Sequence, residues 1–189
     1  MTTSFPNILQ YDSMQCGVAC LQMICEYYHK KYSTNYLSGL CNTTTEGVSM
    51  LSIRDTAFAL GLESNCGKVN IKGIKKISSP CILHWNQNHF VVLYKVKKGK
   101  TFYIADPGKG LIKYTLEEFK KHWVSTQSEG EEKGIAMFLE PTPAFYEKQI
   151  DAQPIEERSF KFLFGYIKQY RKYFGQIVLG LLVGSLLQL

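Results

Sequence analysis

Four side chains in this sequence could between them cut an acyl bond: the thiol of Cys16, the imidazole of His89, the carboxylate of Asp106 and the amide of Gln10. A thiol attacks as its thiolate, an imidazole takes and returns a proton, a carboxylate orients the ring, and amide N–H groups hold an oxyanion. Thiol, imidazole and carboxylate, in that chain order, are the parts of a cysteine hydrolase, whose members are distant in sequence and meet only in the fold. Each also has a plainer reading: a core cysteine, an Asp-Pro-Gly turn, an exposed loop glutamine.

The elements around them bear on both readings, and for Gln10 spacing alone favours the exposed loop. Beyond Cys16, apolar residues at 18, 21, 24, 25 and 28 have the spacing of one helical face. Cys16 then opens a helix, where unpaired N–H groups and the dipole favour a thiolate. Gly17 leaves room there for a substrate backbone. His89 starts a run of β-branched and aromatic residues, and Thr101 to Ala105 reads as the returning strand after Lys97-Lys98-Gly99-Lys100. With the turn centred between Lys98 and Gly99, Asp106 lies opposite Val91, on the face His89 shares; a slip of one residue would separate them. Gln10, six positions before Cys16, is near enough for its amide to fold back beside the thiol.

Ser49 to Leu60 reads as a helix ended by Gly61, Pro80 to Trp85 as a buried strand, and Thr115-Leu116-Glu117-Glu118 as a capping box opening a helix through Trp123. Gly134 to Leu139 reads as the last strand, with Pro141-Thr142-Pro143 closing the domain. His84 and Trp85 could line a cleft or fill the core. The class is α+β.

The boxes Gln10-x-Asp12-x-x-x-Cys16-Gly17-x-Ala19-Cys20-Leu21, His89-Phe90-Val91-Val92-Leu93 and Asp106-Pro107 resemble those of the C39 peptidases, the papain-like domains at the N-terminus of bacterial transporters that mature and export bacteriocins. The resemblance covers about residues 5 to 140. It implies a papain-like fold, with N-terminal helices packed on an antiparallel sheet. It also implies Cys16 as nucleophile, His89 as base, Asp106 as orienting carboxylate, Gln10 as oxyanion donor, and cleavage after a double-glycine pair of a precursor whose leader forms an amphipathic helix. Gln15 stands where the family often has Asp, which removes a charge near the thiol.

Composition is compatible with such a domain and excludes several others. The chain has 189 residues, 45% hydrophobic, with a formal charge of +6. Met1 to Pro6 is not a signal peptide, so the six cysteines point to a reducing compartment. There is no Cys-x-x-Cys pair, and the four histidines have no metal-ligand spacing, so no metal is expected. No Gly-x-x-x-x-Gly-Lys occurs, which places any ATP site in a separate nucleotide-binding domain. No basic sheet interleaved with aromatics suggests nucleic acid.

Residues 1–145 are therefore expected to form the peptidase domain, 146–159 a linker, and 160–189 a basic amphipathic helix running into a first transmembrane helix. Arg158, Lys161, Lys168, Arg171 and Lys172 precede the apolar run Ile177 to Leu189, an arrangement that attaches to membranes and keeps the preceding domain cytoplasmic. The expected setting is the cytoplasmic face of the bacterial inner membrane, beside the membrane-spanning and ATP-binding parts of a transporter. Three functions fit: a leader peptidase, a non-cleaving leader-binding module, and another papain-like amidase or acyltransferase.

Overall fold

The structure, a computed structural model, describes residues 4–10, 12–41, 47–128 and 130–148, and beyond them only 175, 176, 180, 181, 184 and 185. It divides into two units, Met1–Gln153 and Pro154–Leu189. The expected linker and amphipathic and transmembrane segments lie almost wholly outside the described residues. Among the described residues no helix is long and apolar enough to cross a membrane.

In the first unit three helices come first: α1 (Cys16–Tyr27), α2 (Thr34–Leu40) and α3 (Met50–Leu60). Then follow β1 (Leu62–Asn70), α4 (Ile71–Ile74), β2 (Cys81–Trp85), β3 (His89–Lys97), β4 (Thr101–Asp106), β5 (Gly110–Thr115), α5 (Leu116–Trp123), β6 (Thr126–Ser128), β7 (Glu131–Pro141) and α6 (Pro143–Glu147). The strands form one antiparallel sheet in the order β1-β7-β2-β3-β4-β5, with β6 also on β7.

Strand alternation gives the sheet two apolar faces. Ile82, Val92, Ala105, Met137 and Leu139 pack with Leu21 and Ile24 of α1 and Ile53 and Leu60 of α3. Leu83, Val91, Leu93, Phe102, Ile104 and Ala136 point the other way, to Phe119 and Trp123 of α5. The Phe102 and Phe119 rings stack at 4.1 Å. Full burial of one such side chain is worth about 1.5–3 kcal/mol. Helix α1 is buried nearly all round, as a helix between a sheet and other helices must be.

Local signals set the ends of the helices. Ser49 caps α3 by accepting from the Ser52 N–H, and Gly61 closes it at φ 91°. Thr115 and Glu118 make both bonds of the capping box on α5.

The β3–β4 register matches expectation near the site by a less direct route. Lys98 and Gly99 both have positive φ and the Lys100 N–H closes the turn on Lys97 O, yet the first pair is Lys97 with Thr101, one residue out of step. An irregularity between Leu93 and Lys95 restores the step, so Leu93 faces Ile104 and Val92 faces Ala105. Continued by one place, that pairing sets Val91 opposite Asp106. The two offsets cancel, and His89 and Asp106 keep a common face.

Candidate active site

His89 is the first residue of β3 and Asp106 the last of β4, so the hairpin delivers both to one end of the sheet. Cys16 is the first residue of α1, entered through a 3-10 turn, Ser13–Gln15, whose start Asp12 caps by accepting from the Met14 N–H at 2.8 Å. Helix and sheet approach closely at this point. A Cβ on Gly17 would lie 2.7 Å from Ile53 Cδ1 and 3.3 Å from Phe90 Cδ2. Gly17 therefore lets α1 pack against α3 and β3, which corrects the expectation that it makes room for substrate.

Asp106 Oδ1 accepts from His89 Nε2 at 2.8 Å and from the Gly108 N–H at 2.8 Å. The turn and orienting readings of Asp106 thus describe one structure, in which the turn's own N–H holds the carboxylate against the ring. Asp106 is 3% exposed. Burial pushes its carboxyl up, but the bonds from His89 and Gly108 and the charges of His89 and Lys109 prevail, and it stays below the usual carboxylate range.

With Nε2 committed to Asp106, Nδ1 is the nitrogen left for Cys16. Burial lowers the His89 pKa, but hydrogen bonds and charges of Asp106 and Cys16 outweigh it and raise it to about 9. For Cys16 burial pushes the thiol up, whereas the His89 hydrogen bond, the Phe90 N–H, the His89 charge and the Gly17 N–H act downward, and the net shift is down. The two shifts run towards the thiolate and imidazolium forms. The other described thiols go the opposite way. Burial raises Cys20 well above its ordinary value, Cys25 to about 12, and Cys41, Cys66 and Cys81 as well. Of these only Cys66 is exposed.

Gln10 reaches the site through a contact the sequence did not signal: its N–H donates to Pro107 O at 2.9 Å, tying the N-terminal segment to the Asp106 turn. Its side-chain oxygen is buried and has no hydrogen-bond partner among the described residues, and the same holds for Gln15. The amide thus has unspent bonding capacity on a residue tied to the Asp106 turn, and a half-turn about its last torsion exchanges acceptor for donor. The backbone donors Phe90, Gly17 and Gly108 were also missed, because an N–H has no residue signature. Trp85 is a core residue, stacked on His122 at 5.2 Å, while His84 packs against Phe90 at 5.4 Å. A cavity of about 580 Å³ lined by Glu63, Lys76 and Phe138 involves none of the four site residues.

Residues 4–128 match the Peptidase C39 family. The chain is 32% identical over 124 residues to the colicin V secretion/processing ATP-binding protein CvaB of Escherichia coli, covering 66% of this chain and 18% of that protein. It is 35% identical over 140 residues to the lactococcin-G-processing and transport ATP-binding protein LagD of Lactococcus lactis subsp. lactis, covering 71% and 18%. The chain thus spans about a fifth of the length of these curated relatives. Among solved structures, a double glycine motif protease from an AMS/PCAT transporter, in complex with the leader peptide, is 36% identical with a TM-score of 0.63, over 72% of this chain and 91% of that one. The peptidase domain of Streptococcus ComA, a bi-functional ABC transporter involved in a quorum sensing pathway, is 25% identical with a TM-score of 0.63, over 74% and 100%.

Proposed function

This chain belongs to the C39 peptidase family and is a cysteine peptidase domain, and from that premise we propose that it removes the leader of a precursor peptide after a double-glycine pair, as part of a bacterial peptide exporter. The observation that carries the reading is the Cys16–His89–Asp106 chain of contacts, in which the thiol is pulled down and the imidazole pushed up.

The chemistry follows from those protonation states. The Cys16 thiolate adds to the carbonyl carbon of the residue before the cut. The Gln10 amide and the Cys16 N–H donate to the oxyanion that forms. Imidazolium His89 gives its proton to the departing amine, the C–N bond breaks, and a thioester remains on Cys16. Water, losing a proton to His89, then hydrolyses the thioester and frees the leader with a carboxyl end. Asp106 holds the ring and its charge throughout. Two glycines before the cut fit a cleft too narrow for side chains, while the leader helix supplies affinity from an apolar face.

No cofactor enters these steps. ATP would bind only a separate nucleotide-binding domain of the parent transporter. The remaining partners proposed are its membrane-spanning part and the membrane itself, through the C-terminal segment, at the cytoplasmic face of the inner membrane. The test is incubation with a precursor peptide carrying a leader and Gly-Gly, with mass measurement of both fragments. Cleavage after Gly-Gly that is lost in Cys16→Ala supports the reading. Binding without cleavage would make the chain a leader-binding module, and equal cleavage of a leaderless peptide would make it a general hydrolase.

A further inference from the structure

At the other end of the same hairpin the sheet carries a cluster of unpaired positive charge. Lys95, Tyr103 and Lys113 are directly paired across β3, β4 and β5, and both ammonium groups lie over the one ring, at 5.7 and 5.6 Å. Lys97 follows on the same face, Lys98 and Lys100 occupy the turn, and the side chain of Lys75 lies against Gly99. Among the described residues none of these six has an ion pair, whereas Lys31, Lys72 and Lys120 do. Glu117 and Glu118 near that end belong to α5 on the opposite face, and Glu118 is engaged in its capping box. No two of these lysines are direct cross-strand partners, since Tyr103 and Thr101 of β4 stand between β3 and β5, so the charge gathers on one face and is open to an anionic counter-surface.

The chain's path says which one. Strand β7 runs to Pro141 at this same end, and α6 folds back with Phe145 buried. Rings then continue from Phe145 through Tyr28, Tyr27, Phe5 and Tyr94 to Tyr103. The described part of the unit ends at Lys148, whose ammonium donates to Ala59 O of α3, at the Pro141 end of the sheet. The sequence beyond it is basic and then apolar, from Ile177 to Leu189.

We propose that Lys75, Lys95, Lys97, Lys98, Lys100 and Lys113 form an electrostatic docking surface for the anionic phospholipid headgroups of a membrane. Each lysine held near such a surface adds a small salt-screened attraction, and Tyr103 keeps two of them at a fixed height. The surface holds the peptidase unit against the bilayer with its thiol end directed away from it. It is separate from catalysis and does not depend on the identity of the substrate.

The experiment is flotation of the full chain with vesicles of phosphatidylcholine alone and of phosphatidylcholine with phosphatidylglycerol, at low and high salt. The apolar C-terminal run contributes to both vesicle types, so the readout is the increment due to phosphatidylglycerol. Replacing Lys95, Lys97, Lys98 and Lys100 by Gln should cut that increment about tenfold or more. Replacing Lys68, Lys72, Lys120 and Lys121 by Gln, the same change of charge elsewhere, should leave most of it. Leader hydrolysis in solution should be unchanged in the first variant, and Cys16→Ala should float like the wild type, which separates this proposal from the peptidase reading. An unchanged increment in the first variant, or an equal loss in both, would overturn it, as would loss of binding to a DNA duplex with none to vesicles.

Discussion

The two ends of the β3–β4 hairpin handle charge in opposite ways. At one end Cys16, His89 and Asp106 are largely buried, and each is favoured in its charged form by its neighbour and, for Cys16 and Asp106, by backbone N–H groups. At the other, Lys95, Lys97, Lys98 and Lys100 are exposed and have no ion pair among the described residues. Burial makes electrostatics strong enough to set protonation states, and exposure leaves it to water and salt. Removing a charge at the first end should therefore change the chemistry, while removing one at the second should change neither the chemistry nor the fold.

The largest effect is expected from His89→Ala, which leaves Cys16 with the burial that raises its pKa and removes the imidazole's bond and charge, two of the four interactions that lower it. Turnover of a leader peptide should fall about a thousandfold or more, with the KM far less affected. Retention of a tenth of the activity would mean that the thiol has another base. Gln10→Ala should lower turnover about a hundredfold, since its amide acts on charge that develops in the transition state. A silent Gln10→Ala would remove that residue from the site.

Asp106→Asn should be milder, about tenfold, and its diagnostic is the pH profile. His89 must be protonated to release the amine, so activity should decline as pH rises through about 9. Loss of the carboxylate removes a cause of that raised value, so the basic limb should move to lower pH. A basic limb that stays in place would mean that Asp106 does not govern the ring. Gly17→Ala is a test of packing: its Cβ meets Ile53 and Phe90, and thermal or denaturant unfolding should show a loss of about 1–3 kcal/mol. The smallest effect belongs to the far end, where Lys98→Gln should alter stability by no more than about 0.5 kcal/mol and leave kcat unchanged.

What could be read from the sequence were the residues whose types carry chemistry and the elements bounded by caps. Cys16 at a helix start, Thr115 as a capping box and Gly61 as a helix stop each rest on one local rule. Strand β1 was missed because it is an edge whose residues are mostly exposed: only Leu62 is buried, so Glu63 to Asn70 carry no alternation. The short helices α2, α4 and α6 lack the length for a periodic signal. The register succeeded at the site although a turn offset and a bulge intervene, since neither shows in residue type. The anchoring of Gln10 on Pro107 O could not be read either, because it is made by backbone alone.

The central claim is that Cys16 is a thiolate paired with imidazolium His89 before any substrate arrives. It is tested most directly by the rate of alkylation of each cysteine as a function of pH, mapped by mass spectrometry. Cys66 is the internal reference, exposed but with its pKa raised. The Cys16 profile should rise at lower pH than an ordinary thiol's and well below that of Cys66, and His89→Ala should move the Cys16 profile to higher pH. Equal profiles for Cys16 and Cys66, or a Cys16 profile that His89→Ala leaves in place, would contradict the account.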